Sequence, residues 1–373
     1  MKVAINGWFM RFPNTGIGQY LVHLLQGIDA LGDDNEYLLF TDDEAEDLPL
    51  SDKFTKKVIT HPIPFLHKDI KKTVWEQIVF PRELKKHKVD LLHIPHFAPF
   101  FNPVCKTVVT VLDIAPLVFP LSKLGKIGLY DRYYSKIVAP FLKKTDCVIT
   151  ISEYSKSEII KYLHVESDKI QITNLAAGEE FKVIDDRDSV SNFLAKYDIE
   201  PGYIFYLGDG GYRKNVMSLV KAYCSLGDEI KKKHNLVIAG NAANSIEVRK
   251  YAEKEGGAIK LIGFVSDGRR FFYNGAFLFV FPTIYEGFGI PPLEAMLCGV
   301  PVVSSIYSSI PEVVGDAGIL VAADDETAVK KAIEQVIGDD SLRKSMIEKG
   351  FEQAMKFSYK RCAEETIKIY NKL

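Results

Sequence analysis

Short apolar runs alternate with stretches of helical period along nearly the whole chain, and few folds accept such an alternation. A run of four to six apolar residues closed by a polar or glycine-rich turn reads as a strand buried on both faces, and a parallel neighbour is reached only through a crossover helix. Runs at 3–6, 37–40, 58–61, 91–94, 107–112, 147–151 and 169–173 predict a first series of strands. Runs at 203–207, 235–239, 259–262, 277–281, 301–304 and 318–321 predict a second. In the first connecting helix Ile17, Tyr20, Leu21, Leu24, Leu25, Ile28 and Leu31 share one face. The expectation is two doubly wound α/β domains with parallel sheets, 1–180 and 181–355, joined by the polar stretch "EEFKVIDDRDSVS" at 179–191. From residue 341 on, two helices and no strand are expected, and the last, 356–373, can cross back to the first domain.

With 373 residues there is chain enough for two cores. The 47 basic residues against 49 acidic ones leave a net charge of −2, which gives no general attraction to a phosphate backbone, so no nucleic-acid partner is expected. Five scattered cysteines without a Cys-x-x-Cys pair argue against a disulfide framework or a zinc site and fit a reducing cytosol. Because "MKVAINGW" reads directly as a strand and no apolar run approaches ~20 residues, neither a secretory signal nor a membrane span is expected.

Ligands of open parallel sheets sit beyond the carboxyl ends of the strands. There the first half carries "NTGIGQY", where Gly16 and Gly18 would let backbone approach a ligand at a helix start that favours negative charge. The dinucleotide fingerprint is excluded, since its third glycine position is Leu21. The second half offers "YIFYLGDGGYRKNV", a strand, a glycine loop beginning at Gly208, the adjacent cations Arg213 and Lys214, and Asn215 as a candidate helix cap. A guanidinium fork beside an ammonium suits a diphosphate, although a solvated basic turn has the same composition. A second anion site on the same half, Gly287, Phe288 and Gly289 ahead of a helix that Pro291 can start, favours the ligand reading.

Taken together, "YEGFGIPPLEAMLCGVPVVSS", "ISEYSKSEI", "LGDGGYRKN", "LIGFVSD" and "SSIPEVVGDAGILV" resemble, in order, the landmarks of retaining glycosyltransferases of family 4, most nearly members that transfer mannose or related hexoses onto lipid-linked oligosaccharides. The resemblance implies the GT-B fold, two facing Rossmann-like domains, with a nucleotide sugar donor held mainly by the second and a saccharide or lipid-linked saccharide acceptor by the first. It implies that Glu294 accepts hydrogen bonds from the donor ribose and that Glu286 holds hydroxyls of the transferred sugar. The amides of Phe288, Gly289 and Ile290 would meet sugar and phosphate, and Arg213 with Lys214 would neutralise the leaving diphosphate, so that no metal cofactor is required. The nucleotide base would lie near Gly263, Phe264 and Val265, within 263–267.

Asp186, Arg187 and Asp188 spell a metal-binding Asp-x-Asp but stand away from any strand end and read as a solvated charge run. Where relatives often carry His-Asp, "TVVTVLDIAPLVFP" has Leu112 before Asp113, which leaves Asp113 either a catalytic role or the capping of the next loop. His93 and His96 stand near another strand end, where they would line the acceptor cleft or be satisfied structural residues. Residues 53–106 hold eleven Lys or Arg against four acids, with Phe65, Leu66, Trp75 and Phe80 among them, the composition of a surface that lies on an anionic membrane or of a merely solvated face. The expected protein is a cytoplasmic hexosyltransferase of cell-surface polysaccharide biosynthesis, peripheral on the inner face of the membrane. A GT-B phosphorylase, a dinucleotide-dependent oxidoreductase and a non-catalytic bilobal sugar-binding protein are the alternatives.

Overall fold

The computed structural model describes residues 1–60, 68–98, 103–118, 134–265 and 268–373, which divide into two compact units, one of Met1–Leu175 with Ser358–Leu373 and one of Ala176–Phe357. The boundary at Leu175 precedes the predicted link. The end of that link, from Arg187 on, is instead the start of a helix, Arg187–Ala195, where Asp186 accepts a hydrogen bond from the Ser189 amide (3.1 Å) as its N-cap. Asp186, Arg187 and Asp188 therefore open a helix of the second unit, and Arg187 Nη1 donates to the Asn274 carbonyl at 3.3 Å.

In the first unit the strands β1 (Lys2–Asn6), β2 (Glu36–Thr41), β3 (Phe54–Val58), β4 (Leu91–Ile94), β5 (Lys106–Thr110), β6 (Cys147–Thr150) and β7 (Ile170–Ile172) form one parallel sheet in the order 3-2-1-4-5-6-7. The third strand lies earlier than the 58–61 run predicts. It is an edge strand with one neighbour, so its side chains are only half covered and its sequence, FTKKV, lacks the continuous apolar signature. The first helix, Gly16–Leu31, buries Tyr20, Leu21, Leu24, Leu25 and Ile28, and Thr15 caps it by accepting from the Gly18 amide.

The final helix, Tyr359–Lys372, packs along that first helix. A Cβ on Gly27 would stand 2.9 Å from both the Ala363 Cβ and the Tyr359 carbonyl, so the glycine is what lets the two helices approach. Tyr359 stacks on His23 (ring centroids 4.3 Å apart). Deeper in, Tyr370 OH lies 2.6 Å from His93 Nδ1, and His93 Nε2 lies 2.8 Å from Thr110 Oγ1, which also meets Tyr20 OH at 3.1 Å. His93 is thereby a satisfied core residue. Burial lowers its pKa to about 3, so the imidazole is neutral.

The second unit repeats the pattern with β8 (Tyr203–Leu207), β9 (Leu236–Ala239), β10 (Ile259–Ile262), β11 (Ala276–Phe281), β12 (Val302–Ser305) and β13 (Ile319–Val321) in the order 10-9-8-11-12-13, all parallel. In each sheet the order reverses beside the first strand of its series, between β1 and β4 and between β8 and β11. The crevice beyond the strand ends there is where an open sheet binds its ligand.

Candidate functional site

At the β8/β11 switch point both strands run into loops that carry the polar residues. After β8 the chain passes through Gly208 and Asp209 into a short 3-10 turn, Tyr212–Lys214, and Asn215 then takes a left-handed conformation (φ 49°) before the helix Val216–Cys224. Asn215 stands at the N-cap position but does not cap. Its side-chain amide donates instead to the Ala323 carbonyl at 2.6 Å, because the left-handed backbone turns the side chain away from the helix amides. The displaced turn presents Arg213 and Lys214 to the loop that follows β11.

In that loop Glu286 is 8% exposed and lies between the two cations. Lys214 Nζ bonds Glu286 Oε1, and Arg213 Nη1 lies 3.4 Å from Glu286 Oε2. Thr283 ties the loops together: its hydroxyl is 2.9 Å from the Arg213 carbonyl and 3.2 Å from Glu286 Oε1. The Ile284 amide donates to the same Arg213 carbonyl at 2.7 Å. From the segment after β12, Ser308 Oγ accepts from the Glu286 amide (3.0 Å), while the Ser309 hydroxyl lies 2.9 Å from the Glu286 carbonyl and 2.7 Å from that of Phe288. Asp209, at 3.5 Å, is a further partner of Arg213. Lys214 also lies over the Phe281 ring, 5.3 Å from its centroid.

Phe288 is buried edge-on against Phe357, with ring centroids 5.4 Å apart. Gly289 follows at φ +114°, a conformation only glycine adopts readily, and a Cβ there would meet Ile310 Cδ1 at 2.8 Å. The helix then runs Ile290–Leu297, with Pro291 and Pro292 inside its first turn, where their missing amides cost nothing. Glu294 lies on its buried side, 2% exposed. Its Oε2 accepts from Tyr273 OH at 2.7 Å, and its Oε1 pairs with Arg269 Nη1 at 3.1 Å. Burial pushes this carboxyl above the usual range, against the pull of Arg269 and Tyr273. The backbones beyond β8, β9 and β10 are laced together: the Ala242 amide donates to the Gly208 carbonyl (3.1 Å) and the Gly240 amide to the Gly263 carbonyl (2.6 Å). Phe264 is exposed and Val265 buried, while Ser266 and Asp267 of the predicted base site lie outside the described residues.

Of the predicted site residues, Arg213, Lys214 and Glu286 form one cluster, and Phe288 joins it through Ser309. Gly16, Gly18 and Asp113 belong to the first unit. Gly16 has nothing within 4 Å of where a Cβ would stand, whereas one on Gly18 would fall 2.1 Å from the Phe12 carbonyl oxygen. The close approach that Gly18 permits is thus that of its own preceding loop. Asp113 Oδ1 accepts from the Ala115 amide at 3.1 Å, a local cap on the turn that follows. Trp75 and Phe80 are not surface residues. They stack on each other with centroids 4.8 Å apart inside the core of the first unit, and Phe65 and Leu66 lie outside the described residues. Among the residues that position the site, Asp209, Ser308 and Ser309 stand within quoted landmarks but had no role assigned, and Arg269, Tyr273 and Thr283 carried no sequence expectation. Arg269 and Tyr273 stand four apart on one helix face, a spacing that could have paired them with a common partner.

Two doubly wound units, the second with a cation pair and a carboxylate over its switch point, define a protein of the GT-B class. Known proteins agree. The family model described as glycosyltransferase family 4 matches residues 14–174, and that for glycosyl transferases group 1 matches 191–353. The O-antigen chain mannosyltransferase B of Escherichia coli is 31% identical over 100% of both chains. The serotype-specific mannosyltransferase WbdA of the same organism is 30% identical over 74% of this chain, which spans 34% of that protein. Among solved structures, WaaG, a glycosyltransferase involved in lipopolysaccharide biosynthesis, superposes with a TM-score of 0.73 at 18% identity, covering 98% of this chain and 99% of that one. The Anabaena protein HepE in complex with UDP and glucose gives 0.73 at 14% identity over 100% of both chains. The chain belongs to glycosyltransferase family 4. It is a transferase, and the non-catalytic sugar-binding alternative is set aside.

Proposed function

We propose that the protein transfers mannose or a related hexose, with retention at the anomeric carbon, from a nucleoside diphosphate sugar to a hydroxyl of a saccharide or lipid-linked saccharide in building a cell-surface polysaccharide. The observation that supports this most directly is the gathering of Arg213, Lys214 and Glu286 over the β8/β11 switch point. As the glycosyl bond breaks, negative charge grows on the leaving diphosphate, and two fixed cations stabilise that charge more in the transition state than in the ground state. In this reading Glu286 exchanges its bond to Lys214 for hydroxyls of the donor sugar, and Thr283 and Ser308 keep its loop in place as it does so. Glu294 receives the ribose hydroxyls. Its carboxylate keeps lone pairs beyond those used by Tyr273 and Arg269, and their two bonds fix its plane. The amides of Gly289 and Ile290 meet the phosphate at the helix start. The reaction needs no metal, and the proposal gives Asp113 no step.

The mannose reading rests on the names of the O-antigen relatives, and the diphosphate reading on the cation pair. Among the described residues no helix is long and apolar enough to cross a membrane. A cytoplasmic site with peripheral attachment is supported by the exposed cations Arg82, Lys85, Lys86 and Lys88 of the first unit, which follow the exposed Ile78 in sequence and of which Lys86 pairs with Glu83. Ligand-observed NMR with guanosine, uridine and adenosine diphosphate sugars tests the donor reading: saturation transfer to one nucleotide sugar, lost in Lys214→Ala, is expected, and equal signals for the variant would overturn it.

A further inference from the structure

The first sheet has its own switch point, and a buried polar cluster stands there that the donor chemistry does not use. β1 ends at Asn6, and His96 follows two residues after the end of β4. His96 is 1% exposed, with its ring edge-on to Phe9 at 4.8 Å. Its Nε2 lies 2.7 Å from Glu76 Oε1, an oxygen that Asn6 Nδ2 also reaches at 3.5 Å and Lys72 Nζ approaches at 3.6 Å. Asn6 is itself fixed, because its Oδ1 accepts from the Trp8 amide at 3.0 Å and its NH2 must then face the carboxylate.

These contacts decide the tautomer. Against a carboxylate oxygen, Nε2 carries the proton, so Nδ1 presents a lone pair. That lone pair is buried and has no hydrogen-bond partner among the described residues. Buried acceptors seldom stay unfilled, since each costs about 1–3 kcal/mol of lost hydration, and one held just beyond a strand end calls for a donor that the described residues do not supply.

We propose that His96 Nδ1 accepts a hydrogen bond from a hydroxyl of the sugar acceptor, with Glu76 and Asn6 holding the imidazole in the tautomer this requires. The inference rests on the reading that the protein transfers sugar to a hydroxyl. His96 binds this hydroxyl without taking its proton: burial and then the Lys72 charge lower the imidazole pKa, with Glu76 opposing, so the ring has little appetite for a second proton. Glu76 is the positioning residue. Its carboxyl stays below the usual range although burial opposes this, held there by Lys72, His96 and Asn6.

The test reads binding and turnover separately. With the donor saturating and octyl α-mannoside as acceptor probe, His96→Phe should raise the acceptor KM roughly three- to tenfold, the loss of one neutral hydrogen bond, and leave the nucleoside diphosphate Kd unchanged. Glu76→Leu, which frees the ring to protonate on either nitrogen, should raise the same KM. An unchanged KM in either folded variant refutes the proposal. Should the variants fail to fold, ¹⁵N-histidine NMR of the intact protein decides. The His96 Nδ1 resonance should move on titration with methyl α-mannoside, and a resonance that stays put at saturating mannoside means that a buried water or nothing fills the lone pair. Because the NMR experiment needs no turnover, it can fail while sugar transfer is confirmed, or succeed while the donor reading falls.

Discussion

Replacing Glu286 by alanine should leave the binding of a free nucleoside diphosphate intact or tighten it, while turnover with the full sugar donor collapses. In the structure the carboxylate occupies both cations, bonding Lys214 directly and Arg213 at 3.4 Å. A diphosphate must therefore displace a charge-assisted bond worth about 1.5–3 kcal/mol in a dry setting. Arg213 keeps 34% of its side chain in solvent, which screens its share, so the relief on removing Glu286 is nearer ~1 kcal/mol, or about fivefold in Kd. The sugar hydroxyls lose their acceptor in the same variant, and a fall in kcat of about 10²- to 10³-fold is expected from misplacing the ring. Lys214→Ala is the contrast, since it should weaken diphosphate binding by about tenfold or more. Isothermal titration with the diphosphate and initial rates with the sugar donor give both quantities. If Glu286→Ala weakens the diphosphate as much as Lys214→Ala does, Glu286 serves the phosphates and the division of labour is wrong.

Activity should survive a chelator in full, and an absolute need for Mg²⁺ or Mn²⁺ restored by titration would sink the metal-free proposal. Gly18→Ala should lower the unfolding free energy by about 1–3 kcal/mol because its Cβ would overlap the Phe12 carbonyl, whereas Gly16→Val should melt like the wild type; thermal denaturation followed by circular dichroism separates them. If Gly16→Val also turns over normally, the Gly16 loop touches no substrate. Stability should fall as the pH drops below the ordinary histidine value of 6.5, since His93 titrates at about 3 when folded and the unfolded chain then binds more protons. The slope approaches about 1.4 kcal/mol per pH unit for each such group. His96 and His234, also lowered first by burial, add in the same direction, so denaturant melts at pH 7.5 and 5.5 should show a shallower loss for His93→Gln than for the wild type, and identical slopes would contradict the buried neutral ring.

The parallel strands were legible because a strand buried on both faces writes itself as a continuous apolar run. β4, β8 and β10 begin and end where the sequence places them. β3 was not, since an edge strand with half-covered side chains carries lysines in its interior. The polar stretch at 179–191 looked like a link because helix caps and linkers share the same residues, and only Asp186 accepting from Ser189 tells them apart. In the site, the residues legible beforehand are those at strand ends, where chemistry dictates residue type. Thr283, Ser308 and Ser309 act through hydroxyls aimed at backbone carbonyls and amides, and such bonds leave no pattern in composition. Trp75 and Phe80 misled for the opposite reason: they sit among lysines in sequence but on the inner face of their helices, so the charges are outside and the rings within.

The union of Ser358–Leu373 with the first unit has a consequence for biosynthesis. Domains of most chains condense in the order they leave the ribosome, the N-terminal one first. Here the chain that completes the first unit is made only after the whole of Ala176–Phe357. Until Tyr370 is translated, His93 has an open ring nitrogen and Gly27 faces no helix. The second unit has every strand of its sheet in hand by Val321 and its last residue, Phe357, before any of Ser358–Leu373 is made, so it can reach its native state while the first still waits. A nascent chain arrested after residue 357 should therefore protect the second unit from protease and leave the first open to cleavage.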